Sequence, residues 1–163
     1  MRPDIKIRPF APGDEVELIP LIVGIQTEEF NIPITAADQP DLMDIPGFYQ
    51  ANRGNFWVAE SGGRIVGTVA LLDIGGGKAA LRKMFVDKGF RGNGTGTSGL
   101  LLRTLLSWAG EKDLGRIFLG TTSKFLAAHR FYEKNGFLEI DKTALPGTFP
   151  VMSVDTKFYE IRI

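Results

Sequence analysis

The stretch that most constrains this chain is Val86-Asp87-Lys88-Gly89-Phe90-Arg91-Gly92-Asn93-Gly94-Thr95-Gly96-Thr97-Ser98-Gly99-Leu100-Leu101-Leu102. Ahead of it, Ala79–Val86 reads as a strand. Behind it, Leu101, Leu105 and Trp108, with Leu102, Leu106 and Ala109, recur at the three- and four-residue steps of a helix burying one face. A glycine-rich turn therefore joins a strand to a helix. The first N–H groups of a helix have no intrahelical acceptor, and the helix dipole adds partial positive charge there. Glycines let that backbone approach a bulky anion. Arg91 adds a full charge and a planar donor fork, so the expected guest is a phosphate or pyrophosphate.

Three phosphate-binding patterns compete over these residues. Gly94-Thr95-Gly96-Thr97-Ser98-Gly99 is a literal G-x-G-x-x-G. A dinucleotide fold would add an acidic residue about 20 positions on, at the end of the next strand. Asp113 is near that offset but falls between helix and strand, and the strand Arg116–Thr121 runs into Thr122-Ser123-Lys124 without a carboxylate. A Walker A loop would close on Gly-Lys-Ser/Thr, whereas Gly96 is followed by Thr97. The third pattern is Arg-x-x-Gly-x-Gly, met by Arg91, Gly94 and Gly96.

With that third pattern the chain resembles the GNAT superfamily of acyl-CoA-dependent N-acyltransferases, and a second segment carries the resemblance further. Ala127-Ala128-His129-Arg130-Phe131-Tyr132-Glu133-Lys134-Asn135-Gly136-Phe137 looks like that family's second signature, a helix with Ala and Phe-Tyr closed by Gly-Phe. The resemblance covers residues 54–140 well and 11–53 and 141–163 in outline. It implies an α/β (α+β) fold in one N-acetyltransferase domain over residues 1–163. Its sheet would be mixed and mostly antiparallel, with about six to seven strands, about four flanking helices and a splayed parallel pair at 79–86 and 116–121.

The remaining chain fits that plan. Asp4–Phe10 alternates polar and apolar as a first strand, and Asp14 is placed to cap a helix carrying Leu18, Ile22 and Ile25. Residues 31–54, broken by Pro33, Pro40 and Pro46, read as irregular, with a short helix around Ala36–Asp44 and a turn at Phe48–Ala51. Asn55–Glu60, Ile65–Asp73 and Lys78–Val86 form a meander, with turns at Gly62-Gly63 and Gly75-Gly76-Gly77. Gly115 is expected to end the helix after the glycine turn, and a helix from about Ser123 closes at Gly136. Phe137–Ile140 and Met152–Ile163 complete the strands.

The resemblance implies transfer of an acetyl group from acetyl-CoA to a primary amine, by direct attack through a tetrahedral intermediate. Tyr132 matches the family's general acid; a phenol with a pKa of about 10 stays protonated at neutral pH and can donate to a departing thiolate. The backbone at Phe85 and Val86 would stabilise the oxyanion. The cofactor set is Met84, Phe85, Val86, Arg91, Gly92, Asn93, Gly94, Thr95, Gly96, Thr97, Ser123 and Tyr132. Phe125 stands where many relatives place an asparagine against the pantetheine arm, and Thr122 or Ser123 is the substitute. Histone-acetylating relatives carry a glutamate six residues before the strand's last valine; here that position is Ala80. The base is then Glu28, Glu29, Glu60, Asp73 or ordered water. A small-molecule amine is the expected acceptor; a protein or peptide amine, or a CoA-binding regulatory module without catalysis, is the alternative.

Composition narrows the setting. Without cysteine the chain has no disulfide, thiol nucleophile or thiolate metal site, and its one histidine, His129, leaves no metal set; His129 reads as solvent-facing or structural. Trp57 and Trp108 read as core residues. Residues 1–60 hold ten Asp/Glu against four Lys/Arg, and 61–163 hold nine against fifteen, an asymmetry suited to a cationic amine and an anionic cofactor. No basic stripe interleaved with aromatics points to nucleic acid, and no apolar run or leader points to a membrane, so a cytoplasmic setting is expected. A homodimer is the assembly that the resemblance suggests.

Overall fold

The computed structural model describes residues 4–91 and 96–163. Among the described residues seven strands form one sheet in the order β1-β2-β3-β4-β5-β7-β6. They are β1 (Lys6–Pro9), β2 (Asn55–Ser61), β3 (Arg64–Gly75), β4 (Lys78–Val86), β5 (Arg116–Thr121), β6 (Leu138–Ile140) and β7 (Lys157–Arg162). Among the described residues only β4 and β5 run parallel, because α3 (Thr97–Glu111) connects them. The expected mixed sheet with a parallel pair is present.

Alternation along the strands sends side chains to two cores. On β2, Trp57 and Ala59 pack with Leu101 and Leu105 of α3 and Tyr132 of α4 (Leu126–Lys134). Phe56 and Val58 pack on the opposite face with Leu18 and Ile22 of α1 (Glu15–Gly24) and Ile45 of α2 (Ile45–Phe48). Trp57 and Trp108 meet edge to face at 5.9 Å, and the Trp108 indole donates to the Arg53 carbonyl at 2.8 Å.

Several boundaries differ from the sequence expectations, each because another contact wins. Asp14 has helical dihedrals and caps nothing; its carboxylate instead receives the Ala11 N–H and the Arg8 guanidinium. Helix α3 stops at Glu111, and Asp113 rather than Gly115 takes the left-handed turn, at φ 57°. The short helix near residue 40 is a 3₁₀ turn at Pro40–Met43, followed directly by α2 with Asp44 accepting from the Gly47 N–H. Helix α4 begins at Leu126 because residues 122–125 form a separate turn, Phe125 N–H to Thr122 O. The last strand starts at Lys157; residues 152–156 turn back on themselves, Asp155 N–H to the Met152 carbonyl. Helix α1 continues as a π-helical turn, Ile25–Glu29, a local widening that recurs at functional sites.

Candidate active site

The site begins with an irregularity in β4. Arg82 pairs with Ala70 and Phe85 with Thr68, so Lys83 and Met84 together oppose Val69 in a β-bulge. Lys83 adopts φ 54°, and its carbonyl accepts the Thr68 hydroxyl at 2.7 Å. Pairing with β5 covers only Lys78–Ala80 against Arg116–Phe118; beyond that the parallel strands part. Asp87 N–H donates to Val66 O, so by strand alternation the N–H of Val86 points away from β3, toward the opening.

A cavity of about 640 Å³ fills the opening and reaches both faces of the sheet. Its size falls within the range of small-molecule sites. Met84, Phe85 and Val86 line it from β4, Gly96 and Thr97 from the start of α3, and Tyr132 from α4; Gln26 and Phe30 line it from the end of α1. Phe125 stacks edge-on against Phe30 at 4.7 Å and Phe85 at 6.3 Å, filling with an aromatic cluster the place where an amide was expected.

Tyr132 is 5% exposed, wedged by its ring between Phe137 and Tyr159 at 5.4 and 6.0 Å. Among the described residues nothing hydrogen-bonds its hydroxyl, and burial pushes the phenol well above its ordinary range, so it stays protonated. Thr97, the first residue of α3, has a buried hydroxyl with no partner among the described residues. At this end of α3 the N–H groups of the helix start lack intrahelical acceptors, a donor set that fits an anion.

Arg91 lines the cavity but is engaged: its Nε donates to Val86 O at 2.6 Å, and both terminal nitrogens meet the Glu29 carboxylate. Ser123 lies outside the lining, its N–H bonded to Thr156 Oγ1, whereas Thr122 lines the cavity. Gly92, Asn93, Gly94 and Thr95 fall outside the described residues. His129 is buried, with Nε2 2.9 Å from Thr122 O, a structural tie between α4 and the end of β5. Among the described residues no group of His, Cys, Asp or Glu is arranged to hold a metal, and no helix is long and apolar enough to cross a membrane.

Glu28, Glu29, Glu60 and Asp73 all lie outside the lining. Glu60 receives Arg8 at 2.5 Å, and Asp73 receives the Arg53 and Gly75 N–H groups. The ionisable groups that do line the cavity, besides Arg91, include Arg82, Lys83 and Asp155, which the sequence reading passed over. A signal existed for the first two, adjacent cations inside an otherwise apolar strand. Lys83 is buried against Gln39 Oε1 at 2.6 Å and Asp41 at 3.5 Å, and desolvation pulls its ammonium down to about 8.

The sequence profile of the acetyltransferase (GNAT) family matches residues 21–137. The chain belongs to that family. Over 98% of its length this GNAT protein superposes on 99% of an acetyltransferase of the GNAT family from Staphylococcus aureus Mu50, with 40% identity and a TM-score of 0.94. An acetyltransferase from Streptococcus agalactiae 2603 is 30% identical, with a TM-score of 0.92 and 98% of each chain covered. Among curated proteins, N-acetylaspartate synthetase of Danio rerio is 35% identical over 75% of this chain. The match covers 44% of that relative, so the GNAT chain spans less than half its length.

Proposed function

We propose that this chain is an N-acetyltransferase that moves the acetyl group of acetyl-CoA to the primary amine of a small molecule. The observation that carries the reading is the cavity at the parting of β4 and β5, lined by Thr97 at the start of α3 and by Tyr132, whose hydroxyl has no partner among the described residues. The thioester supplies an activated acyl carbon and a thiolate leaving group. The phosphates are assigned to the start of α3, including Gly96 and Thr97, with Arg91 alongside and Gly92–Thr95 completing the cradle. The edges of Met84, Phe85 and Val86 take the pantetheine arm, and a backbone N–H there, best placed at Val86, receives the oxyanion. Tyr132 protonates the leaving sulfur. Catalysis is by direct attack, with no covalent enzyme intermediate. The name of the Danio rerio relative, a synthetase of an acetylated amino acid, supports a small-molecule acceptor.

The test is thermal stabilisation by acetyl-CoA, CoA, NAD and ATP side by side, followed by thiol release with a panel of amines. Stabilisation by the CoA species alone, with amine-dependent thiol release, is the expected result. Stabilisation by NAD or ATP without CoA would overturn the assignment, and CoA binding without thiol release would leave a binding module.

A further inference from the structure

Two opposite charges share the cavity without pairing. Arg82 leaves β4 just before the bulge, and its guanidinium lies over the rings of Phe48 and Tyr49, at 5.7 and 5.9 Å. Its side chain makes one hydrogen bond among the described residues, to Met152 Sδ at 3.3 Å, and no carboxylate stands within ion-pair distance. Asp155 belongs to the turn before β7 and packs against β5, where a Cβ on Gly120 would meet its Oδ2 at 2.6 Å. Oδ2 accepts the Met152 N–H at 2.9 Å, while Oδ1 has no partner among the described residues. Met152 thus touches both charges.

The neighbouring cation does not explain the arrangement, because Lys83 is already held by Gln39 and Asp41. A half-buried guanidinium and a carboxylate in one apolar cavity each forfeit solvation that a partner would restore. The same cavity is also lined by the apolar side chains of Phe30, Ile32, Phe149, Pro150 and Val154. Burial pushes the Asp155 carboxyl above its ordinary range, against the opposite pull of the Met152 N–H, Arg82 and Lys83. A base works best with its pKa nearer the operating pH.

Resting on the acetyltransfer reading, we propose that the acceptor is an amino acid with an apolar side chain, its carboxylate taken by the Arg82 fork and its amine by Asp155, the catalytic base. The ammonium gives one proton to Asp155. The freed lone pair forms the C–N bond at the thioester carbonyl, and the C–S bond breaks with its electron pair on sulfur. Tyr132 protonates that sulfur and is reprotonated by the second proton leaving nitrogen; Asp155 returns its proton to solvent.

The test compares amino acids with their decarboxylated counterparts on the unaltered protein: L-leucine against 3-methylbutylamine, and L-phenylalanine against 2-phenylethylamine, with L-aspartate as the polar control. Binding is read by calorimetry in the presence of CoA, and turnover by thiol release. The amino acids should exceed the bare amines by about 10²-fold in kcat/KM, with a matching gap in affinity. Arg82→Gln should close that gap, Arg82→Lys should restore part of it, and Asp155→Asn should lower kcat by about 10²-fold or more. Amines as good as amino acids would overturn the proposal while stabilisation by CoA and thiol release still upheld acetyltransfer. Preference for L-aspartate over L-leucine would overturn the apolar side chain, and an unchanged rate in Asp155→Asn would overturn the base. Failure of CoA to stabilise the protein would instead overturn the acetyltransfer reading beneath it.

Discussion

Arg91 Nη2 donates to Glu29 Oε1 at 2.5 Å, tying the glycine-rich turn to the π-helical end of α1. The same guanidinium is the charge assigned to the phosphates of the thioester substrate, so Glu29 and the ligand compete for it. Arg91→Ala should weaken CoA binding by about 10- to 100-fold, the range of a charge-assisted hydrogen bond. Glu29→Ala should tighten binding a few fold. Titration calorimetry with CoA checks both, and wild-type affinity in the two variants would remove Arg91 from the phosphate site.

Tyr132→Phe keeps the ring that packs against Phe137 and Tyr159 and deletes only the hydroxyl. The expected outcome is a kcat lower by about 10²–10⁴-fold with CoA affinity unchanged. Steady-state kinetics with the best acceptor decides it, and an undiminished kcat would leave Tyr132 as a packing residue.

Lys83 gives stability a pH dependence of definite sign. Its ammonium is pulled down to about 8 by burial, against the support of Asp41 and Asp155 and with Arg82 adding to the depression. Between pH about 8 and 9.5 the unfolded chain binds more protons at this residue than the folded one, so its contribution makes stability rise with pH, by at most about 1.4 kcal/mol per unit. Below about 8 both states are protonated and the contribution is flat. Tyr49, held above its ordinary range by burial, brings the opposite trend only near pH 10 and beyond. Urea denaturation from pH 7 to 9.5 should show the rise, and Lys83→Met should flatten it.

Gly54 and Gly24 should respond oppositely to alanine. A Cβ at Gly54 would lie 2.4 Å from the backbone oxygens of both Leu71 and Tyr49, which a side-chain rotation cannot relieve. Gly54→Ala should cost about 1–3 kcal/mol, a loss of several degrees in Tm. Gly24 has helical dihedrals and open space around it. Gly24→Ala should raise stability by about 0.5–1 kcal/mol. Thermal melts of the two variants check the contrast.

What could be read along the chain was whatever depends on neighbours in sequence. The alternation of Asn55–Glu60 and Ile65–Asp73, the glycines between β4 and α3, and the Phe131-Tyr132 pair ahead of Gly136-Phe137 carry their meaning within a few residues. The strands β2 to β5 and the placement of Tyr132 followed from them. Met152–Thr156 failed the same treatment: its apolar and polar residues read as the start of the last strand, yet Asp155 turns inward against Gly120. Alternation alone does not distinguish a strand residue from one folded into a turn, here closed by the Met152 N–H donating to the Asp155 carboxylate.

The sequence by itself determined the order of elements, the parallel β4–β5 pair and the strand-turn-helix joint, because periodicity and turn chemistry act over one or two turns of backbone. Only the tertiary structure decided that Lys83 occupies a bulge, that Arg91 is engaged by Glu29, and that Arg82 and Asp155 meet in one cavity without pairing. Those relations join residues up to 73 positions apart in the numbering of one chain. They arise when the two faces of the sheet close over their cores, and a charge finds its partner, or is left without one, only then.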